Sequence, residues 1–149
     1  MAKLLLVEDD PDISMVMAEL LESEGHVVAT ASDGKLGLDA ALLLNPDLII
    51  TDMMMPRMNG MDLISSLRRN GYRGKVVLYS SLDEGHITAQ ERGYDAYIRK
   101  PFRMHKFTAL ISGLLGNRVG TLPASIGYEQ PHANPFEGQS DPAEGQLYR

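Results

Sequence analysis

The chain has 149 residues, 44% of them hydrophobic, which suits one packed domain with some chain to spare. A formal net charge of −6 argues against non-specific DNA binding, and the lack of cysteine excludes disulfides and thiolate metal sites. The first apolar run is too short for a signal peptide, and no stretch nears the roughly 18 apolar residues of a membrane span, so a cytoplasmic protein without membrane contact is expected.

Strand and helix patterns alternate along the first three quarters. Residues 3–7 form a short apolar run, read as the first strand. Asp10 then caps a helix with Pro11 at its first position, and Ile13, Val16, Met17, Leu20 and Leu21 hold one face until Gly25 ends it. A mixed second strand covers 26–31. The second helix covers 36–44 and closes at Asn45-Pro46. The third strand, 48–51, is apolar enough to be covered on both faces. A third helix follows over 61–69, carried by Leu63, Ile64 and Leu67, and a fourth strand over 76–79. Residues 83–92 read as a weak fourth helix, poor in large apolar side chains and containing Gly85. The fifth strand covers 95–99. The fifth helix covers 104–115, with Phe107, Leu110, Ile111 and Leu114 on one stripe. Such alternation predicts a parallel sheet with helices on both faces, right-handed crossovers, and a functional crevice at the strand C-termini.

After Gly116 prolines and glycines interleave and apolar periodicity disappears. The chain therefore divides into a folded unit over 1–117 and a flexible Pro/Gly-rich tail over 118–149, too sparse in apolar surface to offset its ordering entropy. The tail lacks a helix pair, a basic cluster and zinc-finger spacing, so no direct nucleic-acid contact is expected.

Chemistry gathers at the predicted strand ends. Glu8 and Asp9 follow the first strand and Asp52 the third. Carboxylates so close repel unless a cation neutralises them, and oxygen-only ligands in a partly hydrated site suit Mg²⁺ over Zn²⁺. The bland alternative makes Glu8-Asp9-Asp10 a turn and a cap, and for Asp10 beside Pro11 the cap holds. A carboxylate beside Mg²⁺ can attack phosphorus and form an acyl phosphate, which makes Asp52 the candidate nucleophile. Lys100, after the fifth strand, can pair with Asp52 or with a phosphoryl oxygen, the alternative being a surface lysine in a turn. Pro101 is a candidate for a cis bond. Ser80 ends the fourth strand, where its hydroxyl can bond a phosphoryl oxygen; Ser80 or Ser81 can equally cap the next helix. The methionines around positions 53–61 read as soft fillers of an adaptable loop and core rather than a copper site. His26, His86, His105 and His132 fall in separate elements and suggest no zinc site.

Four stretches together resemble the receiver domain of bacterial two-component response regulators. They are Leu5-Leu6-Val7-Glu8-Asp9-Asp10, Leu48 through Asp52 with Met53-Met54-Met55-Pro56-Arg57-Met58-Asn59-Gly60, Val77-Leu78-Tyr79-Ser80-Ser81, and Tyr97-Ile98-Arg99-Lys100-Pro101-Phe102. The resemblance covers roughly residues 3–115. It implies a doubly wound five-stranded parallel α/β sheet in the order 2-1-3-4-5, flavodoxin-like. It implies Asp52 as phosphoacceptor for a sensor histidine kinase or phosphotransfer protein. Glu8, Asp9, Asp52 and the Met54 backbone carbonyl would hold Mg²⁺. Ser80 and Lys100 would engage the phosphoryl group, and Tyr97 would turn inward as the aromatic switch. The fourth helix, fifth strand and fifth helix would then present a changed surface to a downstream protein, as a monomer or a phosphorylation-dependent homodimer. Met54 and Leu82 occupy the positions that tune phosphate loss. Both are apolar, so slow self-dephosphorylation is expected.

Four other readings are weighed. A Mg²⁺-dependent phosphohydrolase with an aspartyl nucleophile usually needs a second acid two residues on, where this chain has Met54. A structural module that never takes phosphate sits poorly with the full acid, serine and lysine set. A receiver belonging to a longer regulator stays open. A GTPase-like protein is disfavoured because there is no Gly-rich Lys-Ser/Thr loop.

Overall fold

The computed structural model describes residues 1–88 and 92–116. Within them run β1 (Lys3–Val7), α1 (Pro11–Ser23), β2 (Val27–Ala31), α2 (Gly34–Leu44), β3 (Leu48–Asp52), α3 (Gly60–Arg69), β4 (Lys75–Ser80), β5 (Ala96–Arg99) and α4 (Met104–Leu114). The expected tail over 118–149 lies outside the described residues.

Local chemistry sets the helix ends. The Asp10 carboxylate accepts the amides of Asp12 and Ile13 at 2.9 and 3.2 Å, which starts α1 at Pro11. Gly25, at φ 93°, takes the left-handed turn after that helix. α2 starts two residues before the predicted boundary, because Asp33 accepts the Leu36 amide at 2.8 Å and so acts as a cap that the sequence pattern did not reveal. Asn45, left-handed at φ 46°, closes α2 just before Pro46.

All strand pairs are parallel, in the order β2-β1-β3-β4-β5. Side chains alternate between two cores. Leu4, Leu6, Leu48, Ile50, Val77, Tyr79 and Ile98 pack with Met17 and Leu21 of α1 and Phe107, Leu110 and Ile111 of α4. Leu5, Val7, Ile49, Val76, Leu78 and Tyr97 pack with Ala41 of α2 and Leu63, Ile64 and Leu67 of α3. The chain leaves β1 toward β2 on one side, while β3 lies on the other, so strand order reverses between β1 and β3. A crevice opens there at the strand C-termini.

One expected element is corrected. Among the described residues four α-helices occur, not five, and of the span 83–92 the described part, 83–88 and 92, shows a 3₁₀ turn at Glu84–His86. Asp83 accepts the Gly85 amide at 3.0 Å, a local bond that competes with helix, and Ile87 is the one large buried aliphatic nearby among the described residues. Arg68 of α3 ties down the connection instead. Its guanidinium donates to the carbonyls of Gly93, Tyr72 and Gly74 at 2.9–3.0 Å and pairs with Asp95 at 3.1 Å.

Candidate functional site

Glu8 directly follows β1, its amide extending the ladder to the Ala31 carbonyl at 3.0 Å. Asp9 comes next, and Asp52 is the last residue of β3. One carboxylate oxygen from each of the three lies within 4.8 Å of the others. Glu8 and Asp52 are buried and Asp9 faces solvent. Burial pushes the Glu8 carboxyl above its usual range, the Asp52 charge adds to this, and hydrogen bonds from the Tyr79 hydroxyl and the Asp10 amide oppose it. The donor set is all carboxylate oxygen with one ligand open to water. Those residues fit a hard, partly hydrated divalent cation, which would offset the repulsion among them.

Positive charge comes from the far side of the sheet. Lys100 Nζ lies 3.3 Å from Asp52 Oδ1 and 4.8 Å from the centroid of the Tyr79 ring. The Lys100 amide donates to the Ser80 carbonyl at 2.7 Å, which holds the turn after β5 beside the end of β4. The Lys100–Pro101 bond is cis. Ser80 is buried at the end of β4, its hydroxyl oxygen accepting the Leu82 amide at 3.0 Å. The structure therefore brings Glu8, Asp9, Asp52, Ser80 and Lys100 to one edge from four strands.

The loop after β3 is held by two devices. The Gly60 amide donates to the Met53 carbonyl at 2.8 Å, and a Cβ at this glycine would run into the Asp52 carbonyl oxygen. Arg57, left-handed at φ 66°, donates through Nε and Nη2 to Asp33 Oδ2 at 2.9 and 2.8 Å. The Leu36 amide and then the Arg57 guanidinium hold the Asp33 carboxyl below the usual range. Met54 stands in this loop with its amide 3.4 Å from Asp52 Oδ1 and its side chain 65% exposed. Leu82, beyond Ser80, is 44% exposed. No polar side chain stands at either position.

Tyr97 is buried on the β5 face that meets α3, its ring 5.7 Å from Tyr94, its hydroxyl donating to the Leu82 carbonyl. Burial raises its pKa.

Two features were not legible in the sequence. One is the Asp33–Arg57 bridge, which spans 24 residues and left no local trace. The other is Tyr79, fully buried in β4, whose hydroxyl donates to Glu8 Oε1 at 2.6 Å. A tyrosine inside an apolar strand was the available signal, since a buried phenol needs an acceptor.

Residues 4–112 match the family model for the response regulator receiver domain. The chain belongs to that family. The receiver is similar to the alkaline phosphatase synthesis transcriptional regulatory protein SphR of Synechococcus elongatus, at 32% identity over 86% of this chain and 55% of that protein. It also resembles the receiver domain of the Francisella response regulator 1452, with 29% identity and a TM-score of 0.73 over 78% of this chain and 98% of that one. A third likeness is to the response regulator TrrA of Thermotoga maritima in complex with Mg²⁺-BeF, at 26% identity and a TM-score of 0.70 over 76% and 99% of the two chains. The receiver spans about half or less of the length of the curated relatives it matches. Several of these are named transcriptional or DNA-binding regulators, so the expectation of no nucleic-acid contact finds no support in them. No helix among the described residues is long and apolar enough to cross a membrane.

Proposed function

We propose that this receiver is a phosphorylation switch of a two-component relay, with Asp52 as its phosphoacceptor. One observation carries the reading: Asp52 stands between the carboxylates of Glu8 and Asp9 and the ammonium of Lys100. Glu8, Asp9, Asp52 and the Met54 carbonyl would hold Mg²⁺, which when bound neutralises charge on the transferring group. The Mg²⁺-BeF complex of the similar Thermotoga regulator supports that choice of ion.

In the transfer an Asp52 carboxylate oxygen attacks phosphorus while the bond to the donor imidazole nitrogen of a histidine kinase or phosphotransfer protein breaks. The imidazole leaves with that electron pair. Lys100 stabilises the charge on the phosphoryl oxygens, and the Ser80 hydroxyl exchanges its bond to the Leu82 amide for one to phosphate. An apolar cleft of about 600 Å³ beside the site, lined in part by Ile13, Val16, Phe102 and Met104, gives the donor protein a surface to approach.

Output follows from the contacts of Ser80 and Tyr97. Both reach Leu82, one through its amide and the other through its carbonyl. Movement of Ser80 toward phosphate is thereby coupled to the Tyr97 position and to the segment at 82–88, β5 and α4. That surface addresses a downstream protein, and phosphate shifts it between two states. The tail over 118–149 is proposed as a linker or partner segment outside the receiver proper.

Incubation with acetyl phosphate and Mg²⁺ followed by intact mass tests the reading. The wild type should gain one phosphoryl group, and Asp52→Ala should gain none. An unmodified wild type, or a modified Asp52→Ala, overturns it.

A further inference from the structure

We infer that Tyr79 is a positioning residue with two separable parts, a hydroxyl that sets Glu8 for the cation and a ring that sets Lys100 for phosphate. The inference rests on the phosphoacceptor reading above and deepens it.

The geometry is specific. Glu8 carries one methylene more than aspartate, so its carboxylate has an additional torsion to fix. Both of its oxygens are held: Oε1 accepts the Tyr79 hydroxyl at 2.6 Å and Oε2 accepts the Asp10 amide at 3.0 Å. A carboxylate oxygen has two lone-pair directions, so each keeps one for a metal ion. The phenol is itself enclosed. Tyr79 is fully buried, its carbonyl accepts the Met53 amide at 3.0 Å, and Phe102 packs against its ring edge-on with centroids 6.2 Å apart. Strand register makes Tyr79 the Cα partner of Asp52, so the residue that orients Glu8 is tied to the strand that carries the acceptor.

The ring does a second task. Lys100 Nζ sits 4.8 Å from its centroid while reaching 3.3 Å to Asp52. A cation over an aromatic face is attracted by the ring quadrupole, which limits the directions in which the long lysine stem can wander. Tyr79 therefore touches the partner of the metal from its edge and the partner of phosphate from its face.

Tyr79→Phe and Tyr79→Leu separate the two parts. Outer-shell partners of metal ligands are worth roughly 10–100-fold in metal affinity. Calorimetric titration with Mg²⁺ should give Tyr79→Phe a Kd about tenfold weaker than wild type. Its phosphorylation rate by acetyl phosphate at saturating Mg²⁺ should fall less than that of Tyr79→Leu, because the ring contact with Lys100 is kept. Tyr79→Leu should lose the same affinity and also slow at saturating Mg²⁺. Tyr72→Phe is the control. It removes a buried phenol bond to the Pro46 carbonyl at 2.8 Å and should lower stability without changing the Mg²⁺ Kd. An unchanged Mg²⁺ Kd in Tyr79→Phe, or an equal loss in Tyr72→Phe, overturns the inference and leaves the phosphoacceptor reading intact. A wild type that binds no Mg²⁺ and takes no phosphate overturns both.

Discussion

Lys100 Nζ stands 3.3 Å from Asp52 Oδ1 across 48 residues of sequence. Removing that ammonium should matter most when charge builds on the transferring phosphoryl oxygens. A preorganised charge at such a point is typically worth about 100-fold in rate. Lys100→Met is therefore expected to slow acetyl-phosphate labelling of Asp52 by about that factor. Stopped-flow or quench mass spectrometry at saturating Mg²⁺ gives the number, and a rate within a few-fold of wild type would remove Lys100 from the phosphoryl pocket.

On the proposed reading, the side chains at Met54 and Leu82 are expected to set the phosphate lifetime by whether they can orient water. Met54 and Leu82 are 65% and 44% exposed beside the site, and neither has a donor or acceptor to offer beyond the weak thioether. The double variant Met54→Asn, Leu82→Glu supplies two. Positioned acid–base groups are worth about 100-fold or more when ideal, so a shortening of the half-life by at least about tenfold is expected. Decay of the phosphorylated mass after desalting measures it; equal half-lives would contradict the expectation.

Gly60 stands where no side chain fits. A Cβ would meet the Asp52 carbonyl oxygen, Met53 Cα at 3.0 Å and Leu78 Cδ1 at 2.8 Å, and two of these are backbone atoms that cannot rotate away. Gly60→Ala should lower stability by about 1–3 kcal/mol, the usual cost of overpacking, despite alanine's better helix propensity. Urea unfolding followed by circular dichroism would show the lower midpoint, and an unchanged or higher midpoint would refute the prediction.

The Asp33–Arg57 bridge gives a dependence on pH. The folded-state pKa of Asp33 is lowered from its ordinary value of 3.8, by the Leu36 amide first and Arg57 after it. Its contribution is therefore fully present above the unfolded value and is lost as pH falls through the depressed folded value. Asp33→Asn keeps the cap and removes the charge. The wild type should be the more stable at pH 6, and the two should converge below the ordinary aspartate range. Added salt should shrink the gap at pH 6, since Arg57 is largely exposed. Thermal melts across pH 2.5–6 test the sign.

How much of this could be read from the chain depends on how local each signal is. Strand ends, caps at Asp10 and Asn45, and the acid, acid, serine and lysine positions are sequence-local, so nearly every element boundary fell within two residues of its prediction. Where the fourth helix was expected to begin, the described residues form a 3₁₀ turn instead, because Asp83 accepts the Gly85 amide and competes with the helical bond.

From the chain alone came the period of each element, the identity of the acids and the lysine, and hence the parallel sheet with chemistry at its C-terminal edge. Periodicity and capping act over a few residues, so a linear string records them. Folding alone decided that the Tyr79 hydroxyl meets Glu8, that Asp33 holds Arg57 and that Arg68 secures the β4–β5 connection. Those bonds join atoms distant in sequence, and their partners are selected by which faces and ends the packed strands and helices bring together.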